Sequence, residues 1–161
     1  MRFVDGENLT IRAQVMFKEN SVRFWEGDEY RRDCFIWPAT AADRWYWTTA
    51  PPRIEPLPVR SCYYTSLVGD DCTLLAVRLQ LRKLGFEPHV FKKPSREAKS
   101  KGVDIELTKD MLSHAFRGNY DVAILIAGDG DYVPLVEEVK RLGKNVFVYF
   151  PEQWTSRELM L

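Results

Sequence analysis

The sequence has only two histidines and three cysteines in 161 residues, and its 23 basic and 23 acidic side chains cancel. Each scarcity excludes something. Cys34, Cys62 and Cys72 are odd in number and form no CxxC pair, so neither a disulfide framework nor a structural zinc site is expected. All three thiols are expected to be buried and inert. His89 and His114 lack ligand-like spacing and are taken as structural, and no Ser–His or Cys–His pair points to covalent catalysis. Zero net charge leaves no global field to draw the chain onto nucleic acid, so such binding needs a local basic patch. No apolar run reaches transmembrane length, and Met1-Arg-Phe-Val-Asp-Gly lacks the layout of a signal peptide. The expected location is the cytoplasm, with no membrane partner. Internal repeats are absent. With 45% apolar and 29% charged residues the chain is ordinary for a folded protein, and its length suits one domain over 1–161.

What is present concentrates in Tyr120–Leu135. Val122 to Ala127 is an apolar run of the length expected for a strand buried on both faces. It leads into Gly128-Asp129-Gly130-Asp131, after which Val133, Leu135, Val136 and Val139 recur at helical spacing. Two carboxylates one residue apart repel, and at the carboxyl end of a buried parallel strand they suggest a divalent cation. Capping of the following helix is the alternative use of either acid.

Elsewhere, strands are expected over Arg2–Asp5, Val59–Ser66, Phe86–Phe91 and Asn145–Phe150. Helices are expected after Asp5, after Asp70 or Asp71, and over Gly102–Phe116. Strands alternating with helices predict a parallel sheet with right-handed crossovers. Residues 20–58 form a Trp/Pro-rich insertion that the prolines keep from being one regular element. A short hairpin joining Phe35–Trp37 to Trp45–Trp47 is one arrangement for it. The tail from Pro151 is ambiguous, with the start of a helix as one reading.

If the first and fourth sheet strands are neighbours, Asp5 meets Asp129 and Asp131 at the topological switch point. Asp104, in the first turn of its helix, is a third source of carboxylate. Ligands that are all oxygen fit magnesium or manganese and fit zinc poorly. Each acid also has a structural alternative: Asp5 as the end of a strand in a turn, Asp104 as a first-turn acid serving its helix dipole.

Three segments in order, Asp5-Gly-Glu-Asn8-Leu, Lys101-Gly-Val-Asp104 with Asp110 six residues on, and Ala127-Gly-Asp129-Gly-Asp131-Tyr-Val-Pro-Leu, carry a family resemblance. Together the chain resembles the NYN domain, in its LabA-like (DUF88) branch of the PIN-like nuclease superfamily. The resemblance implies a three-layer α/β/α sandwich around a central, mostly parallel five-stranded sheet. It also implies a Mg²⁺ or Mn²⁺ pocket built from Asp5, Asp104, Asp129 and Asp131, with Asn8 orienting a ligand or water, and cleavage of RNA, single-stranded RNA being the expected substrate. Elsewhere in that superfamily a helical acid joins the site, which makes Asp110 a further candidate ligand. Six residues of helix rotate Asp110 by about 240° from Asp104, so both face one point only if the helix passes close by the pocket.

The basic segment Lys92, Lys93, Arg96, Lys99 and Lys101 runs into Asp104 and is the candidate phosphate contact. A solvated loop is its plainer alternative. The tryptophans are read as packing more than as base-stacking platforms. The competing function is a non-catalytic PIN-like module that binds RNA or a partner protein, and a protein partner or a homodimer stays open. Small-molecule phosphatases of the haloacid dehalogenase type need a second aspartate two residues after the first, where this chain has Glu7, and receiver domains need paired acids ending the first strand and a third-strand phosphoacceptor.

Overall fold

The computed structural model describes residues 1–19, 27–37, 60–96, 98 and 101–160. Most of the Trp/Pro-rich stretch, with Trp25, Trp45 and Trp47, lies outside them. In chain order the regular elements are β1 (Arg2–Asp5), α1 (Gly6–Lys18), β2 (Glu29–Arg31), β3 (Phe35–Trp37), β4 (Ser61–Leu67), α2 (Asp71–Lys83), β5 (Glu87–Lys92), α3 (Lys101–Phe116), β6 (Val122–Ile126), α4 (Val133–Arg141) and β7 (Asn145–Val148).

Five strands form one sheet in the order β5-β4-β1-β6-β7, and every pairing in it is parallel. Parallel neighbours require crossovers, and the four helices supply them. Alternation along β1 sends Phe3 to one face and Val4 to the other, and the two faces bury separate cores. On Val4's face, α1 contributes Leu9 and Ala13, and α2 contributes Leu74, Val77 and Leu81. On Phe3's face, α3 lays down Val103, Leu107, Met111 and Ala115, a four-residue spacing that makes one apolar stripe, and α4 adds Leu135 and Val139. The result is an α/β fold with helices on both faces of a parallel sheet, consistent with a PIN-like sandwich. Connections switch faces between β1 and β6, so the switch point lies at the carboxyl ends of those two strands.

The expected hairpin between Phe35–Trp37 and Trp45–Trp47 involves a second strand that lies outside the described residues. β3 pairs antiparallel with β2, Tyr30 opposite Ile36, through a tight turn in which Asp33 adopts φ 56°. Aspartate tolerates that left-handed conformation better than most side chains. The Asp33 amide donates to Gln14 Oε1 (3.1 Å), and Tyr30 Oη donates to the same oxygen (2.9 Å). Tyr63 docks β3 onto the sheet, its hydroxyl donating to the Ile36 carbonyl (3.0 Å) and accepting from the Ile36 amide (3.2 Å). Trp37 packs edge-on against Phe86 (4.6 Å), which is the packing role foreseen for the tryptophans.

Two of the three thiols match expectation. Cys34 and Cys62 are buried, and burial pushes each up to about 11. Cys72 is exposed instead, because it sits in the first turn of α2 on the side away from Leu74 and Val77. The tail after Pro151 forms two short 3₁₀ turns, at Glu152–Trp154 and Arg157–Leu159. Among the described residues no helix is long and apolar enough to cross a membrane.

Candidate metal centre

Asp5 ends β1 and caps α1 at the same time. Its Oδ1 accepts from the Asn8 amide (2.9 Å), satisfying one of the donors left open at the helix start. The chain turns from β1 into α1 at Gly6, flush against Tyr63. A Cβ there would lie 2.0 Å from a Tyr63 ring carbon, so only glycine permits the approach. Strand alternation puts Asp5 on Phe3's face, towards α3 and α4, with only 3% of its surface exposed.

The second oxygen of Asp5 is held by a residue that the sequence did not single out. Tyr132 Oη lies 2.9 Å from Asp5 Oδ2 and 3.1 Å from Asp104 Oδ1. Tyr132 is buried and closes a 3₁₀ turn, Gly130–Tyr132, placed between the acidic loop and α4. A phenol has one proton, so it donates to only one carboxylate at a time, and the other contact becomes a hydrogen bond only when that carboxyl carries a proton of its own. Burial pushes Asp5 up to about 7, against the opposing pull of its bonds to Asn8 and Tyr132, while Asp104 and Glu7 repel its charge. Burial also holds Asp104 above the usual carboxylate range, reinforced by the charges of Glu7, Asp129 and Asp131. Desolvation and the two carboxylates raise Tyr132 far out of the titrating range, so it remains a donor.

Asp129 caps the 3₁₀ turn, accepting from the Asp131 amide (3.2 Å), and both acids face solvent. The capping alternative therefore holds for Asp129 without removing its second oxygen from use. The loop is pinned from behind by the tail: the Ser156 amide donates to the Gly128 carbonyl (2.9 Å), and a Cβ on Gly128 would meet Phe150 at 2.3 Å. Asp5, Asp104, Asp129 and Asp131 thus gather at the switch point, with Asp104 as the member that feels the other sources.

Asn8 is the third residue of α1, not its cap, and its Oδ1 is buried with no hydrogen-bond partner among the described residues. A buried amide oxygen without a donor, on a residue whose backbone bonds Asp5 and which shares a cleft with Asp129, joins the carboxylates in an all-oxygen set of the kind a hard cation or its water takes. The residues present therefore fit magnesium or manganese. Asn8 and Arg12, one helical turn apart, also line a cleft of about 350 Å³ with Asp129 and Trp154.

Glu7 is closer to the acids than its sequence suggested, since it repels both Asp5 and Asp104. It accepts from Ser66 Oγ (2.7 Å) and from Lys93 Nζ (3.1 Å). Lys93 is 7% exposed, so the ammonium expected as a phosphate contact is a buried ion-pair partner of Glu7 at the edge of the acid cluster. Arg96 is exposed and lies 3.7 Å from Asp33, and Lys92 ends β5 facing solvent. Lys99 lies outside the described residues. Lys101 opens α3. Asp110 is brought to other partners: its Oδ2 accepts from Tyr64 Oη (3.1 Å) and lies 3.6 Å from His89 Nε2. The six-residue rotation that separates it from Asp104 is the reason.

Compared with known families, residues 2–161 match the model described as NYN domain. A solved structure of a protein of unknown function from Vibrio parahaemolyticus is 34% identical to this chain, with a TM-score of 0.49. The match covers 63% of this chain and 63% of that one, less than two thirds of either. No curated protein matches.

Proposed function

The chain belongs to the NYN domain family, part of a PIN-like nuclease superfamily, and from that premise we propose that it is a magnesium- or manganese-dependent ribonuclease of the LabA-like branch. The observation that carries the reading is the Tyr132 hydroxyl set between Asp5 and Asp104, at a switch point where Asp129 and Asp131 add their charge. Acids that raise one another's proton affinity form a stable set once a divalent cation offsets their charge.

Asp5, Asp104, Asp129 and Asp131 would hold the ion. The chemistry such an ion would supply there is acidification of a bound water and an offset of charge on the scissile phosphate. Tyr132 sits between Asp5 and Asp104 and donates its one proton to either carboxylate, which restrains their rotamers. Asn8 Oδ1 is the acceptor that orients a water beside Asp5. Arg12 and Trp154 offer a cation and an aromatic face to a nucleotide lying in the adjoining cleft. The basic segment with Lys92, Arg96, Lys99 and Lys101 is the further phosphate contact of this reading. Lys93 acts through Glu7, tempering the negative charge at the edge of the pocket.

The test is cleavage of a 5′-labelled single-stranded RNA. The expected result is cutting with manganese or magnesium, none with EDTA, and loss of cutting in Asp129→Asn. A clean preparation whose activity survives that substitution overturns the assignment. Tight RNA binding without cutting, together with no tight metal binding in calorimetry, would instead identify a non-catalytic binding module.

A further inference from the structure

Away from the acidic pocket, His89, Glu106 and Asp110 offer one nitrogen and two carboxylate oxygens that all lie within 4.8 Å of one another. His89 comes from the edge strand β5, and Glu106 and Asp110 stand four residues apart on one face of α3. His89 Nδ1 lies 4.0 Å from Glu106 Oε1, and Nε2 lies 3.6 Å from Asp110 Oδ2. The three side chains are only about a fifth to a quarter exposed.

The ligand geometry is fixed from below by Tyr64, which is fully buried. Its ring stacks on the His89 imidazole (4.5 Å between centroids, 22° between planes), and its hydroxyl donates to Asp110 Oδ2 (3.1 Å). One side chain thereby orients two of the three donors, the arrangement by which outer groups tune metal ligands. Burial and the neighbouring carboxylate raise Tyr64, so it stays a donor. The competing cation is Lys109, whose Nζ lies 2.5 Å from Glu106 Oε1 and 4.0 Å from Asp110 Oδ1. That ammonium is more than half exposed, and a surface ion pair of this kind is weak and readily displaced.

We propose that His89, Glu106 and Asp110 form a second cation site, for a borderline transition metal of the zinc type, that clamps α3 to β5. An imidazole among the donors selects such a metal over magnesium, which the all-oxygen pocket prefers. The two sites are separate: Asp110 lies about 9 Å along the helix axis from Asp104. The clamp acts on the same helix that delivers Asp104.

The experiment is zinc titration of the full chain by calorimetry in excess magnesium, with cobalt(II) as the spectroscopic substitute. One zinc equivalent is expected to bind, and Asp129→Asn leaves that affinity unchanged. His89→Gln and Glu106→Gln each weaken it by more than tenfold, and Tyr64→Phe by roughly 10–100-fold. Lys109→Gln tightens it by removing the competitor. Cobalt is expected to give visible ligand-field bands that His89→Gln abolishes. Circular dichroism checks that each variant is folded, and the exposed Lys109 and the partly exposed Glu106 provide variants that leave the core intact. Absence of zinc binding, binding unmoved by His89→Gln and Glu106→Gln, or binding lost in Asp129→Asn overturns the proposal.

Discussion

Replacing Asp5 with asparagine should stabilise the metal-free protein above neutral pH while destroying the pocket. Asp5 titrates at about 7 in the folded chain against an ordinary 3.8, with burial as the main cause. A group that holds its proton more tightly when folded binds more protons in the native state, so its contribution falls as pH rises. The contribution is full below about pH 4, is lost progressively up to about 7, and stays lost above it. Between about pH 5 and pH 8 this one group destabilises wild type on the order of 2–3 kcal/mol, because each pKa unit is worth about 1.4 kcal/mol. Asp104 is shifted the same way and adds to the slope. In Asp5→Asn the amide oxygen still accepts from the Asn8 amide. The new NH₂ donates to Tyr132 Oη, which is then free to give its proton to Asp104. Every hydrogen bond is kept and the buried charge is gone, so the variant gains roughly 2–4 kcal/mol at about pH 8 in EDTA. Urea unfolding across that pH range measures both quantities, and subtracting the two profiles isolates Asp5 from every other titrating group. Added magnesium should flatten the wild-type profile and leave the variant's unchanged. A wild-type slope identical to that of Asp5→Asn, or a variant less stable at high pH, refutes the reasoning.

Two further substitutions separate positioning from folding. Tyr132→Phe removes the shared hydroxyl and leaves carboxylate oxygens without a partner, so it should cost about 1–3 kcal/mol and weaken magnesium binding roughly 10–100-fold, read by urea melts and calorimetry. Gly6→Ala drives a methyl into the Tyr63 ring and should cost about 1–3 kcal/mol in the same melts, with magnesium present or absent.

The parts of this molecule legible in the sequence were those governed by period and chain order. The run Val122–Ala127 could only be a buried strand, and its alternation partner in the sheet was β1, so Asp5 and the Asp129/Asp131 loop were brought together by topology alone. Side-chain direction was not legible. Nothing in the spacing singled out Tyr132, yet a 3₁₀ turn inserted before α4 sets its hydroxyl between Asp5 and Asp104. Its position directly after Asp131 was the only available signal. Glu7 was passed over for its better-placed neighbours and Lys93 was offered to phosphate, but the two pair across a sequence separation that no local pattern records. His89 had no ligand-like spacing because its companions lie on a helix that crosses the sheet. The pairing of β2 with β3 was not legible for a related reason: two short strands of three residues carry too little periodicity to identify one another.

Manganese diffused into crystals of the protein, with data collected for anomalous scattering, tests the central claim most directly. The account predicts a peak enclosed by Asp5, Asp104 and the Asp129/Asp131 loop, lost on chelation. A saturated crystal with no density among those carboxylates would contradict it.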